Sequence, residues 1–125
     1  MSNNMNRYDE KKWIEHAEML KAMAHPKRLA ILEELCDGAK CVQDVQQAIN
    51  ISQPNLSRHL SALKNVGLIN FHINGPLRCY YLAKPSLVKK LLGEMLKDHP
   101  QKIVPFEKAV REAQKYKQNL ELKGA

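Results

Sequence analysis

Apolar residues recur at helical spacing along most of the chain, and turn-forming residues separate the runs. This pattern predicts helices from about Asp9 to Met23, Pro26 to Leu35, Val42 to Ile49, Gln53 to Val66 and Ser86 to Lys97, with a last helix from about Pro105 to Leu120. In the short third helix we expect Val45, Ala48 and Ile49 to face inward. The chain is therefore predicted to be mainly helical.

The fourth predicted helix has clear boundaries and an unusual polar face. Ser52 stands at the N-cap position, Pro54 falls in the first turn and Gly67 supplies the stop. Leucines line one side, whereas the other side carries a proline, hydroxyls, an amide and an arginine but no acid: Pro54, Ser57, Arg58, Ser61 and Asn65, with Gln53 and Lys64 beside them. Such side chains hydrogen-bond base edges and phosphates, although a solvated surface is the alternative for an isolated helix.

The apolar period changes from 3.6 to 2 after Gly67. Ile69, Phe71 and Ile73 alternate with polar residues, Asn74-Gly75 marks a tight turn, and Leu77, Cys79 and Tyr81 alternate on the return. Pro76 lacks a backbone donor and therefore suits the tip. This stretch is predicted to be a β-hairpin that follows the polar-faced helix, as the wing follows the second helix of a helix-turn-helix.

At 125 residues the chain has room for one domain. We expect a loose tail over residues 1–8, a DNA-binding and dimerisation domain over 9–97, and a helical extension over 98–125. No apolar run reaches the roughly 20 residues of a membrane span, and the N-terminus lacks the apolar stretch of a signal peptide. A cytoplasmic location without membrane contact is predicted.

The net charge of +7 is unevenly distributed. Between Asp44 and Glu94 there is no acidic residue, whereas Arg58, Lys64 and Arg78 fall within this interval. A surface without carboxylates favours a polyanionic partner, with chance clustering as the alternative. The sequence contains no nucleophile with a nearby base, no glycine-rich phosphate loop and no paired carboxylates in an apolar setting, so an enzyme is not predicted.

Three segments together resemble one family of bacterial regulators. KAMAHPKRLAILEEL, ISQPNLSRHLSALKNVGLI and the hairpin end RCYYL are similar to the ArsR/SmtB winged helix-turn-helix repressors, over roughly Ala17 to Leu82. The resemblance implies four helices, a two-stranded wing, a fifth helix and a C-terminal helix. It also implies a homodimer that binds palindromic double-stranded operator DNA and leaves it when a metal, metalloid or thiol oxidant binds.

We expect the DNA contacts to come from the fourth helix and the wing: Ser52, Gln53, Asn55, Ser57, Arg58, Ser61, Lys64, His72 and Arg78. His59 belongs to the same helix by resemblance, but it lies beside the apolar stripe and is expected to be structural. His25 precedes the second helix and is expected to cap or pack rather than to bind metal. No cofactor is expected to be required for DNA binding.

The inducer site departs from the family pattern. Arsenite- and cadmium-type members carry Cys-Val-Cys-Asp-Leu in the third helix, whereas this chain keeps Cys41 and has Gln43 at the second thiol position, with Gln46 where some members place a further thiol. Zinc-type members need paired His and acid residues on the C-terminal helix, and Asp98-His99 is followed by no histidine. No metal site is therefore assigned.

Cysteine chemistry remains a route to release. Cys36 lies five residues before Cys41 across the Gly38 corner, so the pair could form a disulfide or persulfide, or bind arsenite or another thiophilic ion with Cys79. The alternative is that these cysteines are small core residues, and Cys79 is expected to be one.

Two further alternatives stay open. The fifth helix has a wide apolar stripe, which indicates dimerisation, and the C-terminal helix is either a second dimer element or a lid within one chain. The winged helix could instead be a protein-interaction module that binds an acidic partner protein rather than DNA.

Overall fold

The computed structural model describes residues 8–97 and 104–124, and these contain six helices and three strands. In chain order they are α1 (Glu10–Met23), α2 (Pro26–Leu35), β1 (Lys40–Cys41), α3 (Val42–Ile49), α4 (Gln53–Asn65), β2 (Ile69–Asn74), β3 (Leu77–Leu82), α5 (Pro85–Leu96) and α6 (Phe106–Gly124). The expected N-terminal tail, apart from Tyr8, and the expected start of the extension at residue 98 lie outside the described residues. Every helix in the described part is too short or too polar to span a membrane.

The helix starts follow from local capping chemistry. Asp9 caps α1 by accepting the Lys12 N–H at 3.3 Å, and His25 caps α2 by accepting the Lys27 N–H at 3.1 Å. The capping role predicted for His25 is therefore confirmed. Ser52 stands at the N-cap position of α4 as predicted, but its side chain makes no capping hydrogen bond.

The core lies between α2, α4, the strands and α5. Its buried apolar side chains include Ile31, Leu32, Leu35, Val45, Leu56, Leu60, Leu63, Leu68, Ile69, Tyr80, Leu82, Val88 and Leu92. The leucines predicted to form the inner side of α4 are all buried. The inward position expected for Ala48 is wrong, because the inward arc of α3 runs through Val42, Val45 and Ile49, and Ala48 lies about 100° around the helix from Ile49.

The predicted hairpin is present and belongs to a three-stranded antiparallel sheet of order β1-β3-β2. Gly75, at φ +63°, and Pro76 form its two-residue turn, as expected for the tip. The strand β1 was not predicted. It pairs with β3 in the register Lys40 with Tyr80 and Cys41 with Cys79.

The buried residues of β3 are not the alternating apolar set Leu77, Cys79 and Tyr81. Leu77 and Tyr81 are exposed, whereas Tyr80 and Leu82 are buried. The register explains the difference, because Tyr80 pairs with Phe71, and side chains of paired residues share a sheet face. The residues of β2 that face the core therefore determine which residues of β3 face the core.

Candidate nucleic-acid interface

The helices α3 and α4 form a helix-turn-helix. Asn50 ends α3 in the left-handed conformation at φ +49°, and Ile51 and Ser52 complete the turn into α4. Every predicted contact residue on α4 is exposed: Ser52, Gln53, Asn55, Ser57, Arg58, Ser61 and Lys64. The polar face is therefore available to a partner along the whole helix.

A groove of about 340 Å³ separates the α4 face from the hairpin wing. Gln53 and Ser57 line it from α4, and Arg78 lines it from β3. Two residues missed by sequence reasoning, Gln43 and Gln46 of α3, line the same groove. Their only sequence signal was their i, i+3 spacing on the helix before the turn, and their amides can hydrogen-bond the same groups as Gln53.

Phe71 joins the cationic end of α4 to the wing. Its ring centre lies 5.6 Å from Lys64 Nζ and 4.4 Å from Arg78 Cζ. Cations over an aromatic face are attracted by its quadrupole, so the ring holds two predicted phosphate contacts near each other. Phe71 also packs against the buried Tyr80, and their ring centres lie 5.4 Å apart.

The second predicted wing contact, His72, lies on the opposite face of the sheet. Arg78 pairs with Ile73, whereas His72 pairs with Cys79, and its ring centre lies 6.1 Å from that of Tyr81. The structure therefore groups Arg78 with α4 and does not group His72 with them.

His59 is buried, with 9% of its surface exposed, beside His25 and Arg28. Arg28 donates from Nε to His59 Nδ1 at 3.1 Å and from Nη1 to the Ala22 carbonyl at 3.2 Å, which links the end of α1 with α2 and α4. Burial, followed by the charges of His25 and Arg28, lowers the pKa of His59 below its ordinary value. This placement agrees with the expected structural role.

The three cysteines are free thiols with different surroundings. Cys36 Sγ donates to the Leu32 carbonyl at 3.3 Å, and burial raises the pKa of this thiol against the opposing charge of Lys89. Cys41 Sγ donates to Asp44 Oδ2 at 3.0 Å, and this hydrogen bond raises the pKa of Cys41. Cys36 and Cys41, which the sequence suggested as a pair, therefore hydrogen-bond to different groups.

Cys41 instead stands directly opposite Cys79 in the β1–β3 register, and both are half-buried. Directly opposed residues of an antiparallel pair have Cβ atoms about 4.5–5.5 Å apart, close to the 3.5–4.5 Å of a disulfide. Within residues 8–97 and 104–124, no group of three or more His, Cys, Asp or Glu side chains could hold a metal ion.

Comparison with known proteins agrees with this geometry. Residues 25–70 match the model of the bacterial regulatory protein, arsR family. The arsenical resistance operon repressor of Bacillus subtilis is 37% identical over 82 residues, which are 65% of this chain and 77% of that protein. The SmtB repressor of Mycobacterium tuberculosis is 35% identical over 75 residues, and these span 60% of this chain but only 56% of that protein.

A solved structure shows the same architecture. The homodimeric winged helix-turn-helix DNA-binding domain of Mb0332 from Mycobacterium bovis superposes with a TM-score of 0.61 at 27% identity, covering 79% of this chain and 100% of that one. The fold is therefore that of a winged helix-turn-helix regulator. The chain belongs to the ArsR family of bacterial transcriptional regulators.

Proposed function

We propose that the chain is a homodimeric, sequence-specific DNA-binding repressor that leaves a palindromic operator when an inducer acts on it. The observation that carries the proposal is the exposed, acid-free face of α4, joined to Arg78 of the wing through Phe71. Hydroxyl, amide and guanidinium groups on one helix face are suited to reading base edges in a major groove. The flanking cations are suited to phosphates.

In this mechanism α4 enters the major groove and the wing contacts the backbone beside it. Gln53, Ser57 and Arg58 would face base edges, whereas Lys64 and Arg78 would position the domain on phosphates. Two such helices related by a two-fold axis would read half-sites about 34 Å apart. This spacing requires a dimer.

Exposed apolar side chains on two helices support dimerisation. α5 exposes Leu87, Met95 and Leu96, and α1 exposes Trp13, Ile14 and Leu20. Large apolar side chains concentrated on a few helices of a small domain are typical of an interface. The homodimeric state of the Mb0332 domain supports the same assembly for this chain.

Electrophoretic mobility shift with the DNA upstream of the chain's own coding sequence tests the proposal. We expect a specific complex that survives excess unrelated duplex and weakens between about 50 and about 200 mM salt, because phosphate contacts release counterions. A winged helix that binds an acidic protein would give no sequence-specific shift, and that result would replace the proposal with the protein-interaction alternative.

For release from the operator we propose a thiol mechanism that uses Cys41 and Cys79. The β1–β3 register supports this pair over Cys36 with Cys41, and Cys41 also stands at the N-cap position of α3 and lines the groove beside Gln53 and Ser57. By the resemblance, Gln43 stands at the second thiol position of arsenite- and cadmium-type members, and Gln46 stands where some members carry a further thiol. A site with three thiolates on α3 is therefore not supported. A bridge between the two thiols, formed by oxidation or through a thiophilic ion such as arsenite, would act on both the wing and α3.

With a hydroperoxide as oxidant, one thiolate attacks the O–O bond and becomes a sulfenic acid, with release of an alcohol or water. The second thiol displaces water from that sulfur, so two thiols lose two electrons and one disulfide forms. Because the Asp44 hydrogen bond raises the pKa of Cys41, we expect the rate of bridge formation to rise with pH.

Serine variants separate the two possible thiol pairs. Cys41→Ser and Cys79→Ser are expected to bind operator normally and to stay bound after treatment with hydroperoxide or arsenite, whereas Cys36→Ser is expected to respond like the parent. Operator release is followed by fluorescence anisotropy, and the bridge is mapped by alkylation and mass spectrometry. Loss of response in Cys36→Ser but not in Cys79→Ser would favour the Cys36 and Cys41 pair, and a normal response in all three would exclude a thiol mechanism.

A further inference from the structure

A second cavity, of about 390 Å³, opens on the side of α4 away from the wing groove. It lies between the start of α2 and the N-terminal half of α4. Its lining contains two histidines, two arginines, a lysine, an amide and one aliphatic residue: His25, Lys27, Arg28, Ile51, Asn55, Arg58 and His59. We call it the histidine pocket.

Both histidine rings of the pocket have already used their acceptor nitrogen. His25 Nδ1 accepts the Lys27 N–H at 3.1 Å, and His59 Nδ1 accepts from Arg28 Nε at 3.1 Å. A neutral imidazole has one acceptor and one donor nitrogen, so each ring keeps its proton on Nε2. The rings therefore have only N–H donors left for a ligand.

The remaining polar side chains of the pocket are also donors. The Asn55 side-chain carbonyl accepts from Arg58, which leaves the Asn55 NH₂ group as a donor. Lys27 Nζ gives one hydrogen bond to the Ile49 carbonyl at 3.4 Å and has further donors to offer. A pocket in which side-chain acceptors are used and donors remain is matched to an anion.

Charge points to the same class of ligand. Lys27, Arg28 and Arg58 are cationic, and no carboxylate lines the pocket. The two histidine ring centres lie only 4.5 Å apart. Burial and the neighbouring charges of His25, Arg28, Arg58 and Lys27 lower the pKa of His59, as expected where cations have no counter-anion.

We propose that the histidine pocket binds a phosphate group, and that in the complex this group belongs to the operator backbone flanking the groove that α4 occupies. Asn55 and Arg58 lie on the exposed face of α4 and line the pocket, which makes the pocket continuous with the proposed recognition surface. The assignment to backbone rests on the proposed function. A free phosphate or phosphorylated small molecule has the same chemistry and is the other source to be tested.

Lys27→Gln is the variant of choice, because Lys27 is exposed and its removal leaves the histidine hydrogen bonds with backbone and Arg28 in place. We expect it to weaken binding of operator and unrelated duplex alike, by roughly 5- to 30-fold. The slope of log affinity against log salt should become shallower by about 1 for each subunit engaged. Lys90→Gln removes an equal charge from an exposed position on α5, outside the pocket, and is expected to match the parent.

The probes for the source are inorganic phosphate alone and a DNA duplex alone, each followed by the NMR signals of the His25 and His59 rings. Two results together support the backbone assignment: the duplex shifts the NMR signals of the rings, and Lys27→Gln makes the slope of log affinity against log salt shallower. Ring shifts with inorganic phosphate but no duplex binding by the parent would overturn the proposed function and assign the pocket to a free anion. Normal duplex binding with unmoved rings, and a Lys27→Gln slope equal to that of the parent, would overturn the pocket proposal alone.

Discussion

Replacing Leu87 by glutamate is expected to dissociate the proposed dimer without unfolding the single chain. Leu87 is 44% exposed in the first turn of α5, where an acidic side chain favours the helix by about 0.3–1 kcal/mol. In a dimer the same carboxylate would be buried without a partner, at a cost of roughly 3–5 kcal/mol. The dimer dissociation constant should therefore rise at least about a hundredfold, as measured by sedimentation equilibrium.

The matched control is Ser86→Glu, which adds the same charge to the same turn at an exposed polar position. Its dissociation constant should stay near that of the parent. Helical circular dichroism should be equal in all three proteins. An unchanged dissociation constant for Leu87→Glu would exclude this part of α5 from the interface.

Replacing Arg58 by alanine is expected to cost roughly 1–3 kcal/mol in operator binding, about 5- to 150-fold in affinity. Arg58 is exposed, and the side-chain partner to which it donates is the Asn55 carbonyl on the same helix. Truncation therefore leaves no buried polar group unpaired, so stability should change little. If Arg58 reads a base, the ratio of operator to unrelated-duplex affinity should also fall.

Fluorescence anisotropy with operator and unrelated duplex measures both effects of the Arg58 substitution. Arg111→Ala, which removes an exposed arginine from α6, serves as the charge control and should keep the parent's ratio. Equal operator affinity for Arg58→Ala and the parent would remove Arg58 from the proposed recognition set. A uniform loss on both duplexes would make it a phosphate contact like Lys27.

The helical part of the fold could be predicted because each helix buries one stripe and has local end signals. The ends of α2 and α3 agree with the expected ranges, and α4 begins after Ser52 and buries Leu56 and Leu60 as its spacing indicated. These signals act over a few residues and need no tertiary information. The polar face of α4 could be predicted from the sequence for the same reason.

Hydrophobic periodicity could not predict which side of the strand β3 faces the core. Both alternating sets in Leu77–Leu82 contain apolar residues, so alternation did not decide which set faces inward. Pairing with β2 makes the choice, because Phe71 and Tyr80 share a face. The strand β1 has only two residues, which is too short for a periodic signal.

Contacts between residues far apart in the sequence could not be predicted either. Cys36 and Cys41 seemed a pair because they are close in sequence, whereas β1 places Cys41 opposite Cys79. Arg28 and His59 are separated by 31 positions, and their hydrogen bond depends on how α2 packs against α4. The sequence alone could therefore suggest the proposed DNA-binding surface of α4 but not the histidine pocket beside it.

The pairing of β1 with β3 has a mechanical consequence. β3 is the central strand of the sheet and pairs with β1, which runs directly into α3, whereas β2 follows α4 along the chain. Each strand of the wing is therefore connected to one helix of the helix-turn-helix. We therefore expect the wing, α3 and α4 to move together as one unit when an inducer acts, rather than the wing bending away from α4. Release from DNA would then require the two winged helix-turn-helix units of the proposed dimer to change their separation or tilt. They would then no longer match half-sites one helical turn apart.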